Sequence, residues 1–287
     1  MKTKPTATRR QILKTMGIVG AWAPFAGMMG CAAEDVEDAD DGSTVDDDSS
    51  SDTGSNTGTT GWAVGGTELI TVDYPDNTLF AAASACTVNL TGQTTEGPCY
   101  FAVNEREDIS EGLTGLPMML CLQVIDTSCN PVSDVVVEIW HCDTAGVYSA
   151  DTSGSDDSRR FAGDFCTGGD NDAEQSTWYR GELTTDSNGR VNFKTCFPGW
   201  YSGRTIHIHF RVRYGSYDYV ISQFCFEDSF CADICNNHSE YSARGSQDTT
   251  LSSGRDTVFG ADYADYLLDL EQNSDGTLLA YKKIQIN

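Results

Sequence analysis

The sequence predicts an all-β fold, a β-sandwich with long loops that is stapled by disulfide bonds. Short segments rich in β-branched and aromatic residues recur from about residue 62 onward, and none shows a long helical period. Turn-forming sequences separate these segments. Ten cysteines remain when Cys31 is set aside, and an even number is typical of a disulfide framework, here of up to five bonds. A barrel would fit the same pattern.

The elements follow one another along the chain with little between them. Strands are predicted at residues 118–126, 134–142, 190–196, 205–214 and 218–226. Two turn sequences, DSNG at 186–189 and GSYD at 215–218, are expected to close hairpins. A third, NSDG at 273–276, would join a last pair of strands.

The N-terminus has the pattern of an export signal. Arg9 and Arg10 precede an apolar segment in TRRQILK, as in twin-arginine signals, and MMGC ending at Cys31 resembles a lipoprotein cleavage site. We therefore expect residues 1–31 to be a signal peptide and the chain to be exported to the periplasm or cell surface. Lipid on Cys31 would then be its only contact with a membrane. The alternative is an ordinary signal peptide with an incidental cysteine.

An acidic segment separates the expected signal peptide from the rest of the chain. Residues 32–61 hold ten acidic residues and no Lys or Arg, which predicts a disordered linker before a domain at 62–287. The formal net charge of the whole chain is -25. Nucleic acid and anionic membrane surfaces are therefore unfavourable partners, because both would be repelled.

Two histidines lie one residue apart in the strand predicted at 205–214. Side chains in a strand alternate between faces, so His207 and His209 project on the same side, about 7 Å apart along the strand. They could converge on one metal ion, or their spacing could be coincidental. A zinc site would need a further histidine or carboxylate. Only His141 and His238 remain, and we interpret His141 as structural and His238 as solvated.

Four segments in order resemble one enzyme family. They are TEGPCYF (95–101), VVVEIWHCDTAGVYS (135–149), the long segment 180–210 that ends in PGWYSGRTIHIHF, and ISQFCFED (221–228). Together they resemble the intradiol ring-cleavage dioxygenases. A single His-x-His pair is a weak signal, whereas this ordered set is specific.

The resemblance implies one non-haem Fe(III) per chain, a small catechol-type aromatic substrate and dioxygen. Carried over residue by residue, the iron ligands would be Tyr148, Tyr201, His207 and His209. Tyr201 would be the ligand that leaves the iron and accepts a substrate proton. Arg204 would stabilise negative charge on the ring, and Gln223 would lie near the substrate. The expected product is a muconate-type diacid from the catabolism of aromatic compounds.

Two features differ from the intracellular members of that family. Only Ser202 and Gly203 separate Tyr201 from Arg204, a compact form that resembles the exported branch. The acidic linker occupies the place of a helical N-terminal segment, so the oligomeric state stays open. Two rival hypotheses remain at this point: a zinc-dependent hydrolase that uses His207 and His209, and a tethered binding lipoprotein without activity.

Overall fold

The computed structural model describes residues 61–81, 90–150 and 164–287. Eight strands form two four-stranded sheets. In chain order they are β1 (Pro117–Ile125), β2 (Val136–Trp140), β3 (Arg180–Thr184), β4 (Arg190–Cys196), β5 (His207–Tyr214), β6 (Tyr217–Cys225), β7 (Asp269–Gln272) and β8 (Leu278–Gln285). The predicted all-β sandwich is confirmed, and each strand predicted from the sequence is present within a few residues.

The two sheets differ in how their strands are connected. One sheet has the order β4-β1-β8-β7, in which β1 and β8 run parallel; the other has the order β3-β2-β5-β6 and is antiparallel throughout. The turns predicted at 215–218 and 273–276 close the hairpins β5–β6 and β7–β8. The turn at 186–189 does not close a hairpin: β3 and β4, on either side of it, belong to different sheets.

Side chains that alternate along β5 point in turn to the core and to the candidate site. Ile208, Phe210 and Val212 on β5 are fully buried in the core between the sheets. His207 and His209 point to the opposite face of the β3-β2-β5-β6 sheet, because successive side chains in a strand project to opposite sides. Loops cover that face, and both histidines are buried as well.

The sequence analysis missed a ten-residue helix, Asp228–Asn237. Its buried residues Cys231, Ile234 and Cys235 lie on one helical face because they are three and four positions apart. The remaining helices are short: Asn171–Glu174, Ser239–Ser242, and the 3-10 helices Thr67–Leu69, Asn77–Phe80 and Tyr263–Tyr266. Over the described ranges, no helix has the length and apolar character needed to cross a bilayer.

Fewer disulfides form than the even cysteine count predicted. Cys99 is bonded to Cys166, and Cys129 is also in a disulfide. Six cysteines are buried free thiols: Cys121, Cys142, Cys196, Cys225, Cys231 and Cys235. Buried thiols pack as small apolar groups, and burial raises the pKa of Cys121 to about 12, which keeps it protonated. Disulfides are present as predicted, but these six cysteines form none, so the described residues do not reach the upper limit of five bonds.

The expectations for the N-terminus fall on a part of the chain that the structure does not describe. The signal peptide (1–31) with its Cys31 and all but the last residue of the acidic linker (32–61) lie outside the described residues, as does Cys86. The domain boundary at residue 62 and the export route remain predictions.

Candidate active site

The two histidines of β5 converge as their spacing predicted. Their Nε2 atoms lie 3.1 Å apart. Nδ1 of His207 lies 2.7 Å from the carbonyl oxygen of Thr205. A carbonyl only accepts, so Nδ1 carries the proton and Nε2 of His207 presents a free lone pair. Burial, together with the nearby Arg204 charge, lowers the pKa of His207 to about 3, so the imidazole is neutral, which is the form that binds metals.

Two tyrosine hydroxyls complete a four-atom cluster around this lone pair. The hydroxyl oxygen of Tyr201 lies 3.1 Å, and that of Tyr148 3.4 Å, from Nε2 of His207. Tyr148 follows β2 and is fixed by its backbone N–H, which donates to the carbonyl of Cys166 at 2.9 Å. Burial raises the pKa of Tyr148 well above its usual value, so a cation would have to offset this effect to stabilise a phenolate.

Arg204 lies beside the cluster. Its Nη1 is 3.4 Å from Nε2 of His207, and its Nη2 donates to Oε1 of Gln223 at 2.5 Å. The amide nitrogen of Gln223 in turn donates to the carbonyl of Thr95 at 3.0 Å. Gln223 therefore connects the arginine to the loop at 95–101 that covers the site.

Asp256, which the sequence analysis missed, holds the other side of Arg204. Its carboxylate accepts from Nε of Arg204 at 3.0 Å and from the backbone N–H of Thr205 at 2.7 Å, Val258 at 2.8 Å and Phe259 at 2.9 Å. Burial favours protonation, but the Arg204 charge and these N–H donors hold the pKa of Asp256 below its usual value. No motif in the sequence marks this residue, since it lies 52 positions after its partner.

Aromatic rings and a glycine pack closely around the two histidines. Trp140 stacks on His209 with ring centroids 5.0 Å apart. Gly97 has a φ of +78°, and a Cβ there would lie 3.1 Å from Cε1 of His209. A glycine is therefore required by both conformation and space. Phe165 contacts the ring of Tyr201 edge-on, with ring centroids 6.4 Å apart.

The disulfide joins two of these walls. Cys99 lies in the loop that holds Gly97 over His209, and Cys166 lies beside Phe165 and accepts the Tyr148 backbone hydrogen bond. One covalent bond thus joins the two segments, one beside His209 and the other beside Tyr201.

The other histidines lie apart from the cluster. Both ring nitrogens of His141 have protein partners, Cys142 O and Thr195 Oγ1, each at 2.8 Å, which agrees with a structural role. His238, expected to be solvated, is instead buried, with Nε2 2.9 Å from the carbonyl oxygen of Ala63. It lies at the junction of the helices Asp228–Asn237 and Ser239–Ser242.

The donor set fits a hard, highly charged metal ion. Two neutral imidazoles and two phenol oxygens converge in a buried pocket, and Nδ1 of His209 has no hydrogen-bond partner. Phenolates are hard anionic ligands that favour iron(III). The residues at 61–81, 90–150 and 164–287 include no group of three or more His, Cys, Asp or Glu placed to hold a metal. A zinc site of the usual composition is therefore not found among them.

Comparison with known proteins gives a consistent result. A family described as Dioxygenase matches residues 96–253. An intradiol ring-cleavage dioxygenase of Aspergillus niger is 27% identical over 182 residues, covering 54% of this chain and 53% of the relative. A chlorocatechol 1,2-dioxygenase of Cupriavidus pinatubonensis is 24% identical, covering 49% of this chain and 57% of the relative. The chain thus spans little more than half the length of these relatives.

A solved structure is similar over most of its own length. It is an intradiol ring-cleavage dioxygenase from Tetranychus urticae, which superposes with a TM-score of 0.58 at 26% identity, covering 69% of this chain and 94% of that one. The matched family region, 96–253, contains Tyr148, Tyr201, Arg204, His207 and His209.

Proposed function

We propose, because the chain belongs to the intradiol ring-cleavage dioxygenases, that it is an iron(III)-dependent enzyme that cleaves catechol-type rings. The bond broken would be the one between the two hydroxyl-bearing carbons, and both atoms of dioxygen would enter the product, a muconate-type diacid. One observation carries the proposal: the hydroxyls of Tyr148 and Tyr201 and Nε2 of His209 all lie within 3.4 Å of Nε2 of His207 in a buried site beside Arg204.

Tyr148, Tyr201, His207 and His209 would hold one ferric ion. When bound, the ion would supply the Lewis acidity and redox character that make a catechol reactive towards dioxygen. The four residues supply the matching donor atoms, with the two phenolates offsetting most of the ionic charge. Trp140 stacks on the face of the His209 ring, and Gly97 lies close to its Cε1 atom, so both restrict the position of the ring.

We expect Tyr201 to accept a substrate proton. It is half-buried, whereas Tyr148 is 2% exposed, so Tyr201 can move away from the cluster more easily. A catechol hydroxyl that enters beside it would transfer its proton to the phenolate oxygen of Tyr201. In the compact turn from Tyr201 to Arg204, the backbone N–H of Arg204 donates to the Tyr201 carbonyl, and both side chains reach Nε2 of His207.

Arg204 supplies positive charge where the ring would become negative. Asp256 and Gln223 hold the guanidinium from two sides, so it does not have to reorganise during the reaction. The two loop segments joined by the Cys99–Cys166 disulfide lie against the site and would limit the access of water to it.

Reconstitution of the metal-free protein with ferric iron tests the proposal. We expect one iron per chain, a visible phenolate-to-iron absorption band, and oxygen uptake with catechol, protocatechuate or hydroxyquinol. Tyr148→Phe should weaken the band, whereas Tyr214→Phe, at a tyrosine that is 61% exposed, should leave it unchanged. A folded protein that stays colourless with iron would refute the iron assignment. Colour without oxygen uptake on any catechol would instead support a binding protein.

We also propose that the enzyme acts outside the cytoplasm. The twin-arginine pattern at Arg9 and Arg10 and the Cys31 lipoprotein signature support export and anchoring. Disulfides such as Cys99–Cys166 are typical of oxidising compartments. Fractionation of cells that express the full chain, with Cys31→Ser as the variant that loses the anchor, would test this. Equal membrane association of both forms would contradict lipidation.

A further inference from the structure

Arg180 is a buried cation that has no carboxylate partner among the residues that the structure describes. It begins β3 and is 1% exposed. Its Nε donates to Oγ of Ser149 at 3.0 Å and its Nη2 to the Ser149 carbonyl at 2.7 Å, while Nη1 has no partner. No Asp or Glu of the described ranges forms an ion pair with it, and the nearby charged side chain of Arg106 has the same sign. A buried charge in this state is costly unless an anion is close.

The aromatic group next to this cation is Tyr148. The guanidinium carbon of Arg180 lies 5.8 Å from the centroid of the Tyr148 ring. Ser149, which binds the guanidinium through two acceptors, is the residue that follows Tyr148 in the chain, so the arginine and the tyrosine ring are fixed to the same short segment. The hydroxyl end of the same ring is the one that lies 3.4 Å from Nε2 of His207.

We propose that Arg180 is a positioning residue that supplies the counter-charge for the Tyr148 phenolate. The inference rests on the proposed function, in which Tyr148 binds iron as an anion. The negative charge of the phenolate would then offset the buried positive charge of Arg180, and Arg180 would stabilise the ionised form of Tyr148. Arg180 itself would contact neither the metal nor the substrate. Its position would tune Tyr148 in particular, because its guanidinium is bound to Ser149, the next residue in the chain, whereas Arg204 lies near both tyrosines.

The phenolate-to-iron absorption band reports this role directly. Light absorption moves negative charge from the phenolate ring towards the metal, away from Arg180, so the arginine raises the energy of the transition. Arg180→Gln, which keeps hydrogen-bond donors and removes the charge, should shift the band of the iron-loaded protein to longer wavelength. The expected shift is on the order of 10 nm for a charge at this distance in a partly polar interior. Arg180→Lys, which keeps the charge, should retain most of the original wavelength.

Arg190→Gln is the matched control. Arg190 is also buried and begins β4, in the other sheet. Its guanidinium carbon lies 5.2 Å from the ring centroid of Phe80, and its Nη1 donates to the carbonyl of Pro75. Its replacement should destabilise the fold without moving the band. The Arg180→Gln shift should also disappear in a Tyr148→Phe background, where Tyr201 is the remaining phenolate. If Arg180→Gln does not fold, Ser149→Ala, which removes the acceptor of Nε, should give a smaller shift in the same direction.

The outcomes separate the two proposals. Absence of an iron band in the unaltered protein would refute the proposed function. If the unaltered protein has the band and its maximum is unchanged in Arg180→Gln or Ser149→Ala, the role of Arg180 is refuted and the proposed function is not. A shift that persists in the Tyr148→Phe background would refute it too, because the effect would then not act through Tyr148.

Discussion

Replacing Asp256 by Asn should both destabilise the protein and slow the reaction. The Asp256 side chain is 1% exposed and its ion-pair partner Arg204 is 10% exposed, so water screens the pair little. Asn keeps one oxygen for the backbone N–H donors at the start of the 256–259 turn, but it leaves the Arg204 guanidinium buried without a counter-charge. Because Asn has nearly the same shape as Asp, the variant tests the contribution of the Asp256 negative charge.

The loss can be estimated from this burial. Removing one partner of a buried ion pair costs about 3 kcal/mol, at the low end of the usual range because one hydrogen-bond acceptor remains. For a domain of about 220 residues, this corresponds to a lowering of Tm by about 9 °C. Misplacement of Arg204 should lower kcat about 100-fold with a smaller change in KM, because its charge matters most in the transition state.

Urea denaturation of the metal-free protein and steady-state oxygen uptake of the iron-loaded protein would measure the two effects. Asp262→Asn is the control, since Asp262 is exposed and its side chain caps no helix; a change within about 0.5 kcal/mol is expected there. An Asp256→Asn protein as stable and as active as Asp262→Asn would show that the pair does not hold Arg204 in place.

Three further predictions follow from the described residues. The difference in unfolding free energy between the unaltered protein and Asp256→Asn should have its full value above pH 3.8, the pKa of an unfolded aspartate. It should shrink as the pH falls towards the lower pKa of folded Asp256, which urea midpoints between pH 6 and 3 would measure. A difference that stays constant would contradict the ion pair. Gly97→Ala should weaken iron retention against a chelator, because its Cβ would lie 3.1 Å from His209. Gly112→Ala is the control: it has a similar φ of +77° but no atom within 4 Å of the added Cβ, so it should lower stability alone. Equal iron retention in both variants would contradict the packing role of Gly97. A serine double variant of Cys99 and Cys166 should lose about 4 kcal/mol, because the bond closes a loop with a sequence separation of 67; urea midpoints equal to those of the unaltered oxidised protein would rule this out.

The sequence predicted the strands and the proximity of the two histidines because both depend on local patterns. Alternation along β5 is enough to place His207 and His209 on one face, and the structure brings their Nε2 atoms to 3.1 Å. The family resemblance named Tyr148, Tyr201 and Arg204 before any geometry was known. The side chains of all three lie within 3.4 Å of Nε2 of His207.

Features set by distant segments could not be predicted in this way. Asp256 reaches Arg204 from a loop more than fifty positions away, and nothing in its neighbours distinguishes it from other surface-type aspartates. The helix Asp228–Asn237 was missed because it is short, and only the four-residue spacing of its buried Cys231 and Cys235 indicates a helical face. The turn at 186–189 has the sequence of a hairpin turn, and only the packing of two sheets shows that it connects them.

The parallel pairing of β1 with β8 has a consequence for the order of folding. Met118 pairs with Leu278, so the middle of one sheet unites segments from opposite ends of the domain. The sheet that carries the site has more local pairings, including the tight β5–β6 hairpin. High contact order slows folding, so we expect the site-bearing sheet to form first and the final closure of its partner sheet to limit the rate. During that interval β1 would expose an unpaired edge that is prone to association between chains.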